Sequence, residues 1–243
     1  MRPFPQKMAV SYSYKQNKPL LRRKFSMRKN LTEVVFILDR SGSMAGLASD
    51  TIGGFNSMIE EQKKEPGDAY VTTVLFDHEY KMIHDHVDLK KVAPITDKEY
   101  YPRGSTALLD AVGRTINDIG DRLNNTPEEE RPSKVIFVIT TDGYENASRE
   151  FSKAKVKEMI EHQQSKYSWV FMFLGANMDA VGESAGLGIN TDFARTYTAN
   201  EYGTESIYAA MSSSLSLARD ASFNVNTRND TYVKTMSSLD GVK

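Results

Sequence analysis

The chain has 243 residues, 40% of them hydrophobic, which is enough for one α/β domain with a full core. Its formal net charge is −1 and it contains no cysteine, which excludes disulfides, thiolate metal sites and thiol catalysis and fits a reducing compartment. No stretch approaches the roughly 18 continuous apolar residues of a membrane span, and no apolar secretory core appears near Met1, so the expected address is intracellular and cytoplasmic.

Charge is distributed unevenly. Residues 1–30 hold nine Lys or Arg and no Asp or Glu, leaving 22 basic against 32 acidic residues in the rest. An acidic body argues against nucleic acid as a partner, because phosphate binding needs a basic face. Residues 1–30 read as a basic extension, residues 31–221 as the domain, and residues 222–243 as a polar, aperiodic tail.

Val34 to Leu38 is nearly all apolar, as expected of a strand buried on both faces of a parallel sheet. Leu47, Ile52, Phe55, Met58 and Ile59 follow at helical spacing through Lys64, and Pro66-Gly67 stops the pattern. Tyr70 to Phe76 reads as a strand, Asp77-His78-Glu79 as a tight turn, and Tyr80 to His84 as an antiparallel edge partner. Residues 85–104 are charged and irregular. A helix resumes at Thr106 with Leu108, Leu109, Val112 and Ile116 on one face, and Thr126 to Pro132 is a polar loop.

Val135 to Ile139 and Trp169 to Leu174 are two more apolar strands, separated by a helix carrying Val156, Met159 and Ile160. Asp179 to Leu187 reads as a short helix, Asp192 to Tyr197 as a last strand, and Ile207, Met211 and Leu215 as the stripe of a final helix ending near Arg219. Strands alternating with helices imply right-handed crossovers. The expected fold class is therefore α/β: a doubly wound, mostly parallel six-stranded sheet with one antiparallel edge strand and helices on both faces.

Three short segments carry the chemistry. Asp39-Arg40-Ser41-Gly42-Ser43 sits at the end of the first strand, Ser105-Thr106 at a helix start, and Thr140-Thr141-Asp142-Gly143 at the end of the Val135–Ile139 strand. Oxygen-only donors of this kind suit a hard divalent cation such as Mg²⁺. Taken singly, Ser-Gly-Ser reads as a turn, Thr106 as an N-cap and Asp142-Gly143 as a hairpin turn. Together, at strand ends and in this order, they read as one site.

The order Asp-x-Ser-x-Ser, then Thr, then Asp-Gly resembles the metal-ion-dependent adhesion site of von Willebrand factor type A domains, over about residues 32–220. The resemblance implies Asp39, Ser41, Ser43, Thr106 and Asp142 as the metal set for Mg²⁺ or Mn²⁺. Ser41, Ser43 and Thr106 would be direct ligands, with Asp39 and Asp142 partly water-mediated. It also implies an open coordination position that docks a Glu or Asp of a partner protein, with no covalent chemistry, and a partner class linked to AAA+ ATPases. Ser105 stands where many family members have glycine.

Two enzymatic alternatives compete with this binding role. Gly182-Glu183-Ser184-Ala185-Gly186 matches the nucleophile-elbow pattern of serine hydrolases, but all four histidines precede Ser184 and no strand leads directly into it. A metal-dependent hydrolase or phosphatase would need a general base or a second carboxylate at position 41, which is serine. His84 and His86 have the spacing of a metal pair on one strand face, with solvated edge residues as the plainer reading.

Overall fold

The computed structural model describes residues 28–198 and 201–220; residues 1–27 of the basic extension and the polar tail lie outside the described residues. In chain order the elements are β1 (Arg28–Asp39), α1 (Ala48–Lys64), β2 (Asp68–Phe76), β3 (Tyr80–Asp88), α2 (Leu108–Asn125), β4 (Pro132–Thr141), α3 (Lys153–Tyr167), β5 (Val170–Ala176), α4 (Ala180–Gly186), β6 (Ala194–Tyr197) and α5 (Glu201–Arg219). β1 begins at Arg28, so it reaches three residues into the segment read as extension.

The six strands lie in the order β3-β2-β1-β4-β5-β6, all parallel except β3, which closes one edge antiparallel to β2. This is the architecture expected from the alternating pattern. Side chains alternate across the sheet, so each central strand feeds two cores. Val34, Phe36 and Leu38 of β1 pack with Phe55 and Met58 of α1 and Met211 and Leu215 of α5. Val35 and Ile37 face the other way, toward Val112 and Ile116 of α2 and Val156 and Ile160 of α3. Burial on both faces is the physical reason these strands lack polar alternation.

One glycine fixes the first layer. A Cβ at Gly54 would meet the Tyr208 ring at 2.3 Å, so α1 can approach α5 this closely only because position 54 lacks a side chain. Among the described residues, no helix is long and apolar enough to cross a membrane.

The strand β3 runs to Asp88, past the expected end at His84, and it contains a bulge. His86 takes a left-handed backbone, φ 52°, and the register with β2 shifts beside it. The bulge puts the two histidines in different surroundings. His84 stacks near Phe55 of α1, whereas His86 Nδ1 lies 2.6 Å from Glu33 Oε2, among Thr72 and Arg122 of α2. They form neither a metal pair nor a simple solvated edge. Glu33 is fully buried, and these partners supply the compensation a buried carboxylate requires.

Residues 89–104 are irregular but anchored, with Leu89, Val92, Ile95 and Tyr100 buried in the first core. The strand expected from Asp192 begins at Ala194, after a 3₁₀ turn over Thr191–Phe193.

Candidate metal centre

β1 and β4 are hydrogen-bonded neighbours, with Leu38 opposite Thr140, although β2 and β3 intervene in sequence. The winding reverses here. In open α/β sheets such a point opens a crevice at the carboxyl ends of the strands, and Asp39 and Asp142 are both placed at its mouth.

Asp39 is fully buried. Its Oδ1 accepts the Ser41 N–H at 2.6 Å, and its Oδ2 accepts the Thr141 hydroxyl at 2.6 Å. The Tyr100 hydroxyl donates to the Asp39 carbonyl. Ser43 donates to Asp142 Oδ1 at 2.6 Å, so the 3.1 Å contact between Ser41 Oγ and Ser43 Oγ is made by the Ser41 proton. A directed relay therefore runs from Ser41 through Ser43 to Asp142, leaving lone pairs on both hydroxyl oxygens.

Thr106 joins this group through Gly143. A Cβ at Gly143 would lie 3.2 Å from Thr106 Oγ1 and 3.6 Å from Ser43 Oγ, so glycine keeps the space between these hydroxyls open. The backbone stitches the three loops together: Gly42 N–H donates to the Gly104 carbonyl at 3.1 Å, Arg103 N–H to Arg40 at 2.8 Å, and Asn146 N–H to Thr106 at 3.0 Å. Gly104 adopts the left-handed conformation, φ 67°, and a Cβ there would collide with His78 Nδ1 at 2.0 Å. Because the left-handed position falls on Gly104, Ser105 fits the loop without strain.

Thr106 does not cap the helix. α2 starts at Leu108, and its first amides are taken by the chain itself: Leu109 N–H donates to Glu145 Oε2 at 2.9 Å and Asp110 N–H to Ser148 Oγ at 3.0 Å. A helix start beside Thr106 would favour an anion through its free amides, but here Glu145 already occupies that place.

Burial raises the carboxyl of Asp39 to about 6, against the opposing hydrogen bonds from Thr141 and Ser41. Burial raises Asp142 as well, opposed by its bond from Ser43. Two carboxylates and three hydroxyls thus converge with no histidine among them. Among the described residues no group of three or more His, Cys, Asp or Glu is placed to hold a metal, and at this site hydroxyls outnumber carboxylates. Such a set matches the oxygen preference of Mg²⁺ and Mn²⁺ and leaves part of an octahedral shell for water or another ligand.

Three supporting residues escaped the sequence reading. Thr141 holds Asp39, Tyr100 holds its backbone, and Asp77 anchors the neighbouring loops. Asp77 is fully buried, accepts Arg103 Nε at 3.0 Å and lies 3.1 Å from Arg40 Nε. Asp77 directly follows β2 and Asp39 closes β1, and that shared place at a strand end was the signal available. Ser184 is buried within α4 and donates to the Val181 carbonyl at 2.9 Å, so it is not the exposed serine of a strand-to-helix elbow.

Neither protein-family models nor curated protein sequences give a match to this chain. Solved structures do. It is similar to proximal thread matrix protein 1 from the mussel byssus, at 14% identity and TM-score 0.54 over 78% of this chain and 46% of that one. A von Willebrand factor type A protein from Catenulispora acidiphila matches at 12% identity and TM-score 0.54, over 77% and 43%. The manganese-loaded TRAP protein of Plasmodium vivax matches at 18% identity and TM-score 0.51, over 71% and 70%. A further structure of the mussel protein, with a zinc-occupied MIDAS motif, matches at 18% identity and TM-score 0.52, over 78% and 46%. The chain spans under half the length of the mussel and Catenulispora proteins. At these identities the likeness establishes the fold, which is that of von Willebrand factor type A domains.

Proposed function

We propose, with the type A fold as premise, that Asp39, Ser41, Ser43, Thr106 and Asp142 hold one Mg²⁺ or Mn²⁺ ion as a metal-ion-dependent adhesion site, and that this site docks an acidic side chain of a partner protein. The observation that carries the reading is the convergence of oxygens from three chain segments, made explicit by the Ser41–Ser43–Asp142 relay and by the gap at Gly143. The metal carried by the TRAP structure and by the MIDAS motif of the mussel protein supports a divalent cation.

In this reading the Ser41 proton stays directed at Ser43 and the Ser43 proton at Asp142, while the oxygen lone pairs of Ser41, Ser43 and Thr106 would face the ion. Two carboxylates offset its charge, and a carboxylate from outside completes the shell, which is electrostatic attachment without bond chemistry. Ser41, Ser43 and Thr106 are direct ligands, and the carboxylates act in part through water. The role is binding rather than catalysis, and the setting is intracellular.

Affinity capture from a lysate with Mg²⁺ and with EDTA, followed by mass spectrometry, identifies the partner. Binding is expected only with metal. Thr106→Ala or Ser41→Ala should cost on the order of 2 to 5 kcal/mol, as for truncating one member of a buried charged pair, and Lys157→Ala on α3 almost nothing. Metal-independent binding, or equal losses at Thr106 and Lys157, would place the interface elsewhere.

A further inference from the structure

Four large hydrophobic side chains are conspicuously exposed among the described residues: Tyr101 at 41%, Tyr144 at 57%, Tyr167 at 53% and Val181 at 44%. Three of them lie on segments that adjoin the candidate metal centre. Tyr144 follows Gly143 directly, and its hydroxyl lies 3.5 Å from the Asp179 amide at the start of α4, which carries Val181. Tyr101 stands on the other side, its ring centroid 5.2 Å from the Arg40 guanidinium and 5.5 Å from that of Arg103. Both arginines are tied to buried Asp77, so the Tyr101 ring rests on an immobilised support. Strand order places the metal loops of β1 and β4 between these flanks, with Asp77 at the end of β2 and α4 after β5.

An exposed tyrosine presents a large apolar area at little ordering cost, having few side-chain torsions, and Tyr101 is further held by its stacked arginines. Single scattered hydrophobics need no explanation, but these three stand on the segments that border one crevice. We infer that the partner segment presents its metal-binding Asp or Glu beside a large apolar or aromatic residue, which packs on Tyr144 and Val181. This deepens the metal-docking reading and rests on it. The flank at Tyr101 and Arg103 meets the residue on the far side of the carboxylate. The partner is therefore an acidic-apolar protein motif and not a uniformly acidic tract, for which Tyr144 and Val181 would offer no contact.

Random peptides displayed on phage, selected on the full chain with Mg²⁺ and eluted with EDTA, test this. Enriched sequences are expected to carry an Asp or Glu with a Phe, Tyr, Trp, Leu or Met within two positions. For one selected peptide, Tyr144→Ser and Val181→Ser should each weaken binding by about tenfold, the scale of a modest hot spot, with Mn²⁺ affinity unchanged. Both residues are exposed, so native melting is expected in each variant. Acidic peptides without apolar neighbours, no metal-dependent enrichment, or losses below twofold would overturn the apolar rim, and intact Mn²⁺ binding would leave the metal site standing. A full chain that binds no Mn²⁺ would overturn both.

Discussion

Replacing Asp39 by Asn exchanges stability for metal binding, and the size of the exchange follows from the site. The carboxyl of Asp39 rises from 3.8 to about 6 on folding because burial disfavours its charge. Its folded value exceeds its unfolded value, so the contribution to stability is complete below about pH 4 and is lost as pH rises through about 6. Two units at about 1.4 kcal/mol each give about 3 kcal/mol of destabilisation in the metal-free protein at neutral pH. Asn keeps an acceptor for the Ser41 N–H, and Thr141 turns its proton to the Gly143 carbonyl, 3.0 Å away.

Without metal at about pH 7.5, Asp39→Asn is therefore expected to melt higher than wild type by roughly 5 to 10 °C. At about pH 4.5 the difference should shrink to about a third, because the unfolded chain's Asp39 is still mostly ionised there, and it should nearly vanish only below about pH 3.5. Saturating Mg²⁺ should raise only the wild type, by about 2.7 kcal/mol at a hundredfold excess over Kd. Differential scanning calorimetry at both pH values, with EDTA or Mg²⁺, reads all of this. A variant less stable than wild type by the same margin at both pH values would refute the buried-charge argument, and a Mg²⁺ response in the variant would remove Asp39 from the site.

Thr141→Val removes the 2.6 Å hydrogen bond to Asp39 Oδ2 and should cost about 1.5 to 3 kcal/mol in urea unfolding, the range for bonds to charged groups, while moving metal binding to higher pH. Gly143→Ala places a methyl 3.2 Å from Thr106 Oγ1 and should lower Mn²⁺ affinity in a calorimetric titration far more than it lowers the melting temperature. Glu33→Ala removes the buried partner of Arg122 and His86 and should cost about 1 to 3 kcal/mol, since both partners are part-exposed and Arg122 keeps Asp85. Glu33 lies about 20 Å along β1 from Asp39, so Mn²⁺ affinity should not change; a parallel loss would mean that the site depends on global stability alone.

The central sheet was legible because β1, β4 and β5 are buried on both faces and spell that burial as unbroken apolar runs. The candidate site was legible because its donors fall at the ends of two such runs. What stayed hidden depends on contacts between distant segments. The bulge at His86 is held by Glu33, 53 positions away, and nothing local to His84-Asp85-His86 announces it. Taken singly Thr106 looks like a cap, but α2 begins at Leu108 and its first amides are taken by Glu145 and Ser148, 36 and 38 residues on. The Arg40–Asp77–Arg103 cluster appeared as a turn and two unrelated arginines until β1 and β2 were laid side by side.

Where a cation binds tests the metal site most directly. Anomalous diffraction from a crystal of the full chain soaked in Mn²⁺ should give a peak among the oxygens of Asp39, Ser41, Ser43, Thr106 and Asp142, with Ser41, Ser43 and Thr106 as direct ligands. A peak elsewhere, or none in these loops at saturating Mn²⁺, would contradict the assignment.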